Sequence, residues 1–223
     1  MTTLDSVIVE TPGPIRRSVI WMHGLGADGH DFEPVVPELG LPSDAGVRFI
    51  FPHAPVRPVT LNGGMPMRAW FDIASLDRNG PFDTAGIAQS VQQVEALIAA
   101  ELKAGRSAGD IVLAGFSQGG VIALHTALRY PAALAGVMAL STYLPGHAAL
   151  VAEASSANKS LPVFLAHGQM DPVLTFDLGE QVRDVLTQAG YPLTWHAYAM
   201  AHQVCAEELT HIGGWLREVL KLA

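Results

Sequence analysis

A serine between glycines, an aspartate before a proline and a histidine in a late loop are the side chains of this sequence whose types and order could perform acyl transfer. Ser117 sits in "DIVLAGFSQGGVIAL", where Gly115-Phe116-Ser117-Gln118-Gly119 fits G-x-S-x-G between a strand-like apolar run and a helix-like run. Such a turn forces the serine into unfavourable backbone angles and exposes its hydroxyl. The flanking glycines remove Cβ atoms that would collide as strand and helix approach. The helix N-terminus then lies near the serine oxygen, and its dipole favours developing negative charge. The five-residue pattern alone is weak. Its strand–turn–helix setting is what separates a nucleophile from a plain turn serine.

A serine hydroxyl needs a base to take its proton. In elbow-type sites the chain order is Ser, then Asp or Glu, then His. Asp171, in "PVFLAHGQMDPVL", follows a strand end, although an Asp-Pro pair also starts a turn. Its rival, Asp177, reads as a carboxylate in the first turn of the next helix. His202, in "AMAHQVCAEEL", falls between the last strand and the last helix, where a base reaches back over the sheet edge. His196 lies inside the alternating run "LTWHAYA" and His211 well inside the last helix, while His53, His125, His147 and His167 read as loop or packing residues. The oxyanion of a tetrahedral intermediate needs two donors. The backbone N–H of Gln118 is one, and the glycine-rich loop "HGLGADG" offers a second at Leu25, with His23 as its brace.

That loop also matches G-x-G-x-x-G through Gly24, Gly26 and Gly29, so a dinucleotide-binding oxidoreductase must be weighed. The motif needs a helix N-terminus aimed at pyrophosphate. Here Pro34 and Pro37 interrupt the following run, Asp28, Asp31 and Glu33 bring negative charge, and no acidic residue ends the next strand, which closes on His53. The glycines serve a different purpose.

Short β-branched runs at 6–11, 18–24, 47–54, 110–116, 136–144, 162–168 and 193–199 alternate with helical patterns at 84–104, 118–129, 178–189 and 206–221. Continuously apolar middle strands predict an α/β fold with a mostly parallel sheet, whose sites form at the carboxyl ends of the strands. The 223 residues are 49% hydrophobic and 15% charged, enough for a sizeable core in one domain. A net charge of −8 argues against nucleic-acid or anionic-lipid partners. The lone Cys205 forms no internal disulfide and, beside Glu207 and Glu208, reads as a packed small hydrophobe. With no signal-peptide pattern and no run near the ~18 apolar residues of a membrane helix, a cytoplasmic, non-spanning protein is expected.

Taken in order, "HGLGADG", "GFSQGG", "HGQMDPV" and "AHQVCAEEL" resemble the phospholipase/carboxylesterase family of α/β-hydrolases, which includes bacterial carboxylesterases and acyl-protein thioesterases. "VTLNGGMPMRAWFDI" (59–73) is similar to the family's segment between an early strand and the long helix, and "ALSTYLPG" (139–146) to its strand and loop beside the acyl pocket. The resemblance covers nearly the whole chain. It implies an α/β-hydrolase fold over residues 1–223, with helices on both faces of the sheet and no large cap domain. It also implies the triad Ser117–Asp171–His202 and oxyanion amides from Leu25 and Gln118, in agreement with the residue-level choices. One departure is Ala201, before the histidine, where members often carry glycine; it bears on the loop shape.

The resemblance further implies an apolar acyl groove, with Leu25, Leu61, Met65, Trp70, Phe71, Leu144 and Val173 as candidates. Trp70 and Phe71 read equally well as core, and Met65 as a gap filler. Gly63 and Gly64 suggest a mobile flap. The implied activity is hydrolysis of carboxylic esters with short to medium acyl chains, through an acyl-enzyme and without metal or organic cofactor. Acyl-protein thioesterase and lysophospholipase activities are the alternatives. A non-catalytic binding protein on the same fold is more remote, since binding would not require all three triad residues. The partner expected is a small ester or acylated substrate. Apolar loops around an uncapped site fit a homodimer as well as they fit a substrate surface.

Overall fold

The computed structural model of the chain describes residues 4–75 and 81–222; residues 1–3, 76–80 and 223 of the expected 1–223 span lie outside them. The strands are β1 (Ser6–Glu10), β2 (Arg17–Met22), β3 (Val47–Pro52), β4 (Val56–Val59), β5 (Met65–Arg68), β6 (Ile111–Phe116), β7 (Gly136–Leu140), β8 (Val163–Gly168) and β9 (Leu193–Tyr198). The α-helices are α1 (Thr84–Lys103), α2 (Gln118–Arg129), α3 (His147–Ala152), α4 (Phe176–Gln188) and α5 (Ala206–Val219). The main sheet runs β1-β3-β2-β6-β7-β8-β9. Only β1 is antiparallel in it, pairing Ile8 with Ile50 of β3.

The central strands are apolar on both sides because both sides are covered. Successive side chains of a strand point to opposite faces. In β2, Ile20 and Met22 join a core with Val94 and Ile98 of α1, Val121 and Leu124 of α2, and Val182 of α4. Val19 and Trp21 point the other way, into a core closed by Ile212, Trp215 and Leu216 of α5. Helices therefore cover both faces. This is the α/β-hydrolase fold, and no large cap domain is inserted among the described residues. No helix among them is long and apolar enough to cross a membrane.

Three local features shape the loops around the sheet, the first in agreement with the interruption expected from Pro34 and Pro37. The segment after the glycine-rich loop forms a 3-10 helix over Glu33–Leu39 with Pro37 inside it, not an α-helical crossover. Proline removes the backbone donor an α-helix interior needs. The run expected as a strand to 144 ends at Leu140, because Ser141 takes φ 43° and turns the chain back toward the end of β6. The stretch 59–69 lies in a hairpin, β4 against β5, whose tip turns through Gly63 and Gly64 at φ 66° and 77°. Asp72 anchors that tip by accepting from the Thr60 N–H at 2.7 Å and its hydroxyl at 2.5 Å.

Candidate active site

The site begins with the strain at Ser117. Its φ of 55° and ψ of −120° lie outside the regions a side-chain-bearing residue ordinarily occupies. Tertiary contacts hold it there. The Ser117 N–H donates to the Leu140 carbonyl at 2.8 Å, and its own carbonyl accepts from the Thr142 hydroxyl at 2.7 Å. The turn is tight enough that a Cβ on Gly115 would stand 2.2 Å from the Gly119 backbone, and one on Gly119 would stand 2.4 Å from the Met22 carbonyl oxygen. No side chain can replace either glycine without moving a strand.

His202 comes from the loop after β9, and Asp171 from the turn after β8. The His202 Nδ1–H donates to Asp171 Oδ2 at 2.6 Å. The other carboxylate oxygen, Oδ1, accepts the Val173 and Leu174 backbone N–H groups, both at 2.8 Å. With Nδ1 committed as donor, the neutral imidazole leaves Nε2 as an acceptor, the form a general base needs. The Phe116 ring, 4.7 Å away between centroids, packs on the imidazole. Ser117 and His202 line one cavity; no hydrogen bond joins them, a looseness common in unliganded sites. Ala201 does not take a left-handed φ, so alanine serves in place of glycine there.

The rival residues lie elsewhere. Asp177 is in the first turn of α4 and accepts from Thr175. The His196 ring stacks on His211 at 4.3 Å. His167 donates through Nε2 to the Leu174 carbonyl at 2.8 Å and sits 3.6 Å from Asp171 Oδ2. His125 Nε2 is 3.0 Å from the Pro145 carbonyl, a packing role.

Gln118 opens α2 directly after Ser117, so the helix leaves its backbone N–H without an internal partner, and Gln118 lines the same cavity as the serine. Gly24 and Leu25 line the same cavity. Their loop is braced by His23, whose Nε2 accepts from the Ala54 N–H at 3.0 Å while Nδ1–H donates to the Gly24 carbonyl at 2.7 Å. Both bonds require a neutral ring, and burial pulls its pKa down to about 4.

The cavity holds about 300 Å³, at the small end for ligand sites. Leu25, Leu61, Phe71 and Val173 of the expected groove line it. Met65, Trp70 and Leu144 do not. Met65 stands 62% exposed on the hairpin, whereas Trp70 and Leu144 are buried in the core. Tyr143 and Pro145 reach the cavity from the loop where Leu144 was expected to, and Ile73 and Phe82 are further parts of its wall. No periodicity marked these four, because each sits in a loop whose direction is set by its neighbours in space. Among the described residues no group of three or more His, Cys, Asp or Glu side chains could hold a metal ion.

Buried titratable groups set the pH range of this arrangement. Burial pulls His125 down to about 4, as it does His23, and pushes the Glu208 carboxyl up to about 8. Below 6.5 the unfolded chain binds protons that the two folded histidines refuse, so their contribution is present above 6.5 and lost as pH falls toward 4. Glu208 acts in the opposite sense. Between 4.5 and 8 the folded chain keeps a proton that the unfolded chain has released, so its contribution is lost as pH rises. Each changes stability by up to about 1.4 kcal/mol per pH unit within its window. Two imidazoles outweigh one carboxyl below 6.5, so these groups place maximum stability near pH 6.5. Thermal melts over pH check this. Glu208→Gln should flatten the alkaline limb, and an unaltered slope would mean that the folded carboxyl is already ionised.

Fold and site together define an α/β-hydrolase. The phospholipase/carboxylesterase family model matches residues 4–220, so the chain belongs to that family. It is 36% identical over 237 aligned positions to acyl-protein thioesterase 1 of Mycosarcoma maydis, covering 99% of each chain. It is 31% identical to carboxylesterase SOBER1 of Arabidopsis thaliana, covering 92% of each. The crystal structure of Zea mays acyl-protein thioesterase 2 superimposes with a TM-score of 0.86 at 30% identity, covering 97% of this chain and 99% of that one.

Proposed function

We propose that this chain is a serine carboxylesterase that cleaves esters of short to medium acyl chains through an acyl-enzyme, within one hydrolase domain. The observation that carries the reading is convergence. A strained serine and an imidazole oriented by a buried carboxylate open onto one apolar cavity.

The reaction follows from those atoms. Ser117 Oγ attacks the ester carbonyl as His202 Nε2 takes its proton, and Asp171 stabilises the imidazolium. The Leu25 and Gln118 amides hold the oxyanion. Collapse expels the alcohol, which receives the proton from His202. Water then attacks the acyl-enzyme with His202 again as base, releasing the carboxylic acid and restoring the serine. The cavity volume of about 300 Å³ supports a short to medium chain, and Leu61 and Val173, 40% and 50% exposed, form an apolar rim for it.

A second reading is thioester cleavage, favoured by the name of the acyl-protein thioesterase relatives. The same steps serve, with a thiol as leaving group. Hydrolysis of p-nitrophenyl esters of increasing chain length, beside chain-matched S-acyl peptides, decides between them. The ester reading predicts a maximum of kcat/KM at short to medium esters. A preference for the S-acyl peptides at every chain length would replace it with the thioesterase.

A further inference from the structure

The two oxyanion amides come from different strand ends, Leu25 after β2 and Gln118 after β6, so nothing in either local turn sets their spacing. Residues 68–71, which run on from the end of the hairpin at Arg68, bond to the residues on either side of Leu25 and to the Gln118 side chain. The Arg68 carbonyl accepts from the Gly26 N–H at 2.9 Å, and the Trp70 indole N–H donates to the His23 carbonyl at 2.9 Å. On the other side, the Trp70 backbone N–H donates to Gln118 Oε1 at 2.8 Å, and Gln118 Nε2–H donates to the Phe71 carbonyl at 2.7 Å. Trp70 is fully buried, its ring 5.4 Å from that of His23, and its carbonyl accepts from the Ser90 hydroxyl of α1.

We propose that Trp70 and the Gln118 side chain are positioning residues that splint the two halves of the oxyanion hole at one spacing. The residue that supplies one amide is clamped by its own side chain to the segment that clamps the other loop. Buried amide hydrogen bonds are directional, and both the oxygen and the nitrogen of the Gln118 amide are engaged here, so they resist a shift that the apolar contacts alone would allow. A hole held at fixed spacing stabilises the developing oxyanion without reorganising during the reaction. This rests on the reading of Leu25 and Gln118 as oxyanion donors.

The test compares kcat, KM and affinity for an alkyl trifluoromethyl ketone, whose free carbonyl, in equilibrium with its hydrate, adds the Ser117 Oγ to give a hemiketal oxyanion as His202 takes the hydroxyl proton. Trp70→Phe deletes the indole donor and keeps an aromatic ring; Gln118→Met deletes both side-chain bonds. Each should lower kcat roughly 10- to 100-fold, a fraction of what losing a whole oxyanion donor costs, with KM nearly unchanged. Ketone affinity should fall in step with kcat/KM. A residue that only supports the fold would lower the melting temperature without that coupled loss. Unchanged kcat, or a rise in KM in its place, overturns the splint, as does ketone affinity that stays intact while kcat drops. If Trp70→Phe proves too unstable to purify, Gln118→Met decides alone. Ketone adduct formation by the unaltered enzyme and its loss in Ser117→Ala test separately the serine nucleophile whose oxyanion those amides are read as holding.

Discussion

Replacing Ser117 by alanine is expected to lower kcat by roughly 10⁵-fold, leaving only what binding and the oxyanion amides supply. The fold should survive. Alanine carries the same Cβ at φ 55°, and the bonds that hold the turn run through the backbone of residue 117, not through its hydroxyl. His202→Ala should cost a comparable amount. The double substitution should cost no more than either alone, because nucleophile and base act as a unit. Turnover of p-nitrophenyl butyrate, read beside the melting temperature, checks all three. His196→Ala is the informative control, since that ring stacks on His211 away from the cavity and should leave turnover intact. Substantial activity in Ser117→Ala would place the nucleophile elsewhere. Inactivation by His196→Ala would overturn the choice of base.

Asp171→Asn should lower kcat by about 10⁴-fold with little change in KM. The reason lies in what each carboxylate oxygen does. Oδ1 accepts two backbone N–H groups, from Val173 and Leu174, so the oxygen of an asparagine amide must take that place. Its NH2 group is then driven to the Oδ2 position, facing His202 Nδ1 and the His167 Nε2 edge. A donor there forces Nδ1 to become an acceptor and moves the imidazole proton to Nε2. The base then points a proton at the serine it should deprotonate. Asp177→Asn, at the exposed start of α4, should leave kcat unchanged. The pair of variants discriminates cleanly: activity retained in Asp171→Asn and lost in Asp177→Asn would reverse the assignment.

The splint and the triad make different demands on the chain. The triad needs three side chains at strand ends, and parallel sheets bring strand ends together whatever the intervening loops do. The splint needs a loop residue, Trp70, to lie against two other loops at hydrogen-bonding distance. That arrangement depends on the β4–β5 hairpin, which no alternating apolar pattern announced. Within it, the strand pairing and the Asp72 anchor at Thr60 set the path of the chain toward Trp70.

The sequence by itself determined the alternation of strands and helices, and with it the positions of Ser117, Asp171 and His202 at the ends of β6, β8 and β9. These are local signals: an apolar run, a glycine turn and a loop before a helix are all written within about ten residues of chain. Only the tertiary structure decided which loop side chains face the cavity. Tyr143 and Pro145 line it and Leu144 between them does not, because Ser141 bends the chain at φ 43° and neighbouring side chains in the loop then point apart. Trp70 lies in the core and not in the cavity wall for the same kind of reason. Its direction is set by His23 and Gln118, 47 and 48 residues away in the chain, and contacts at that separation leave no periodic trace in a sequence.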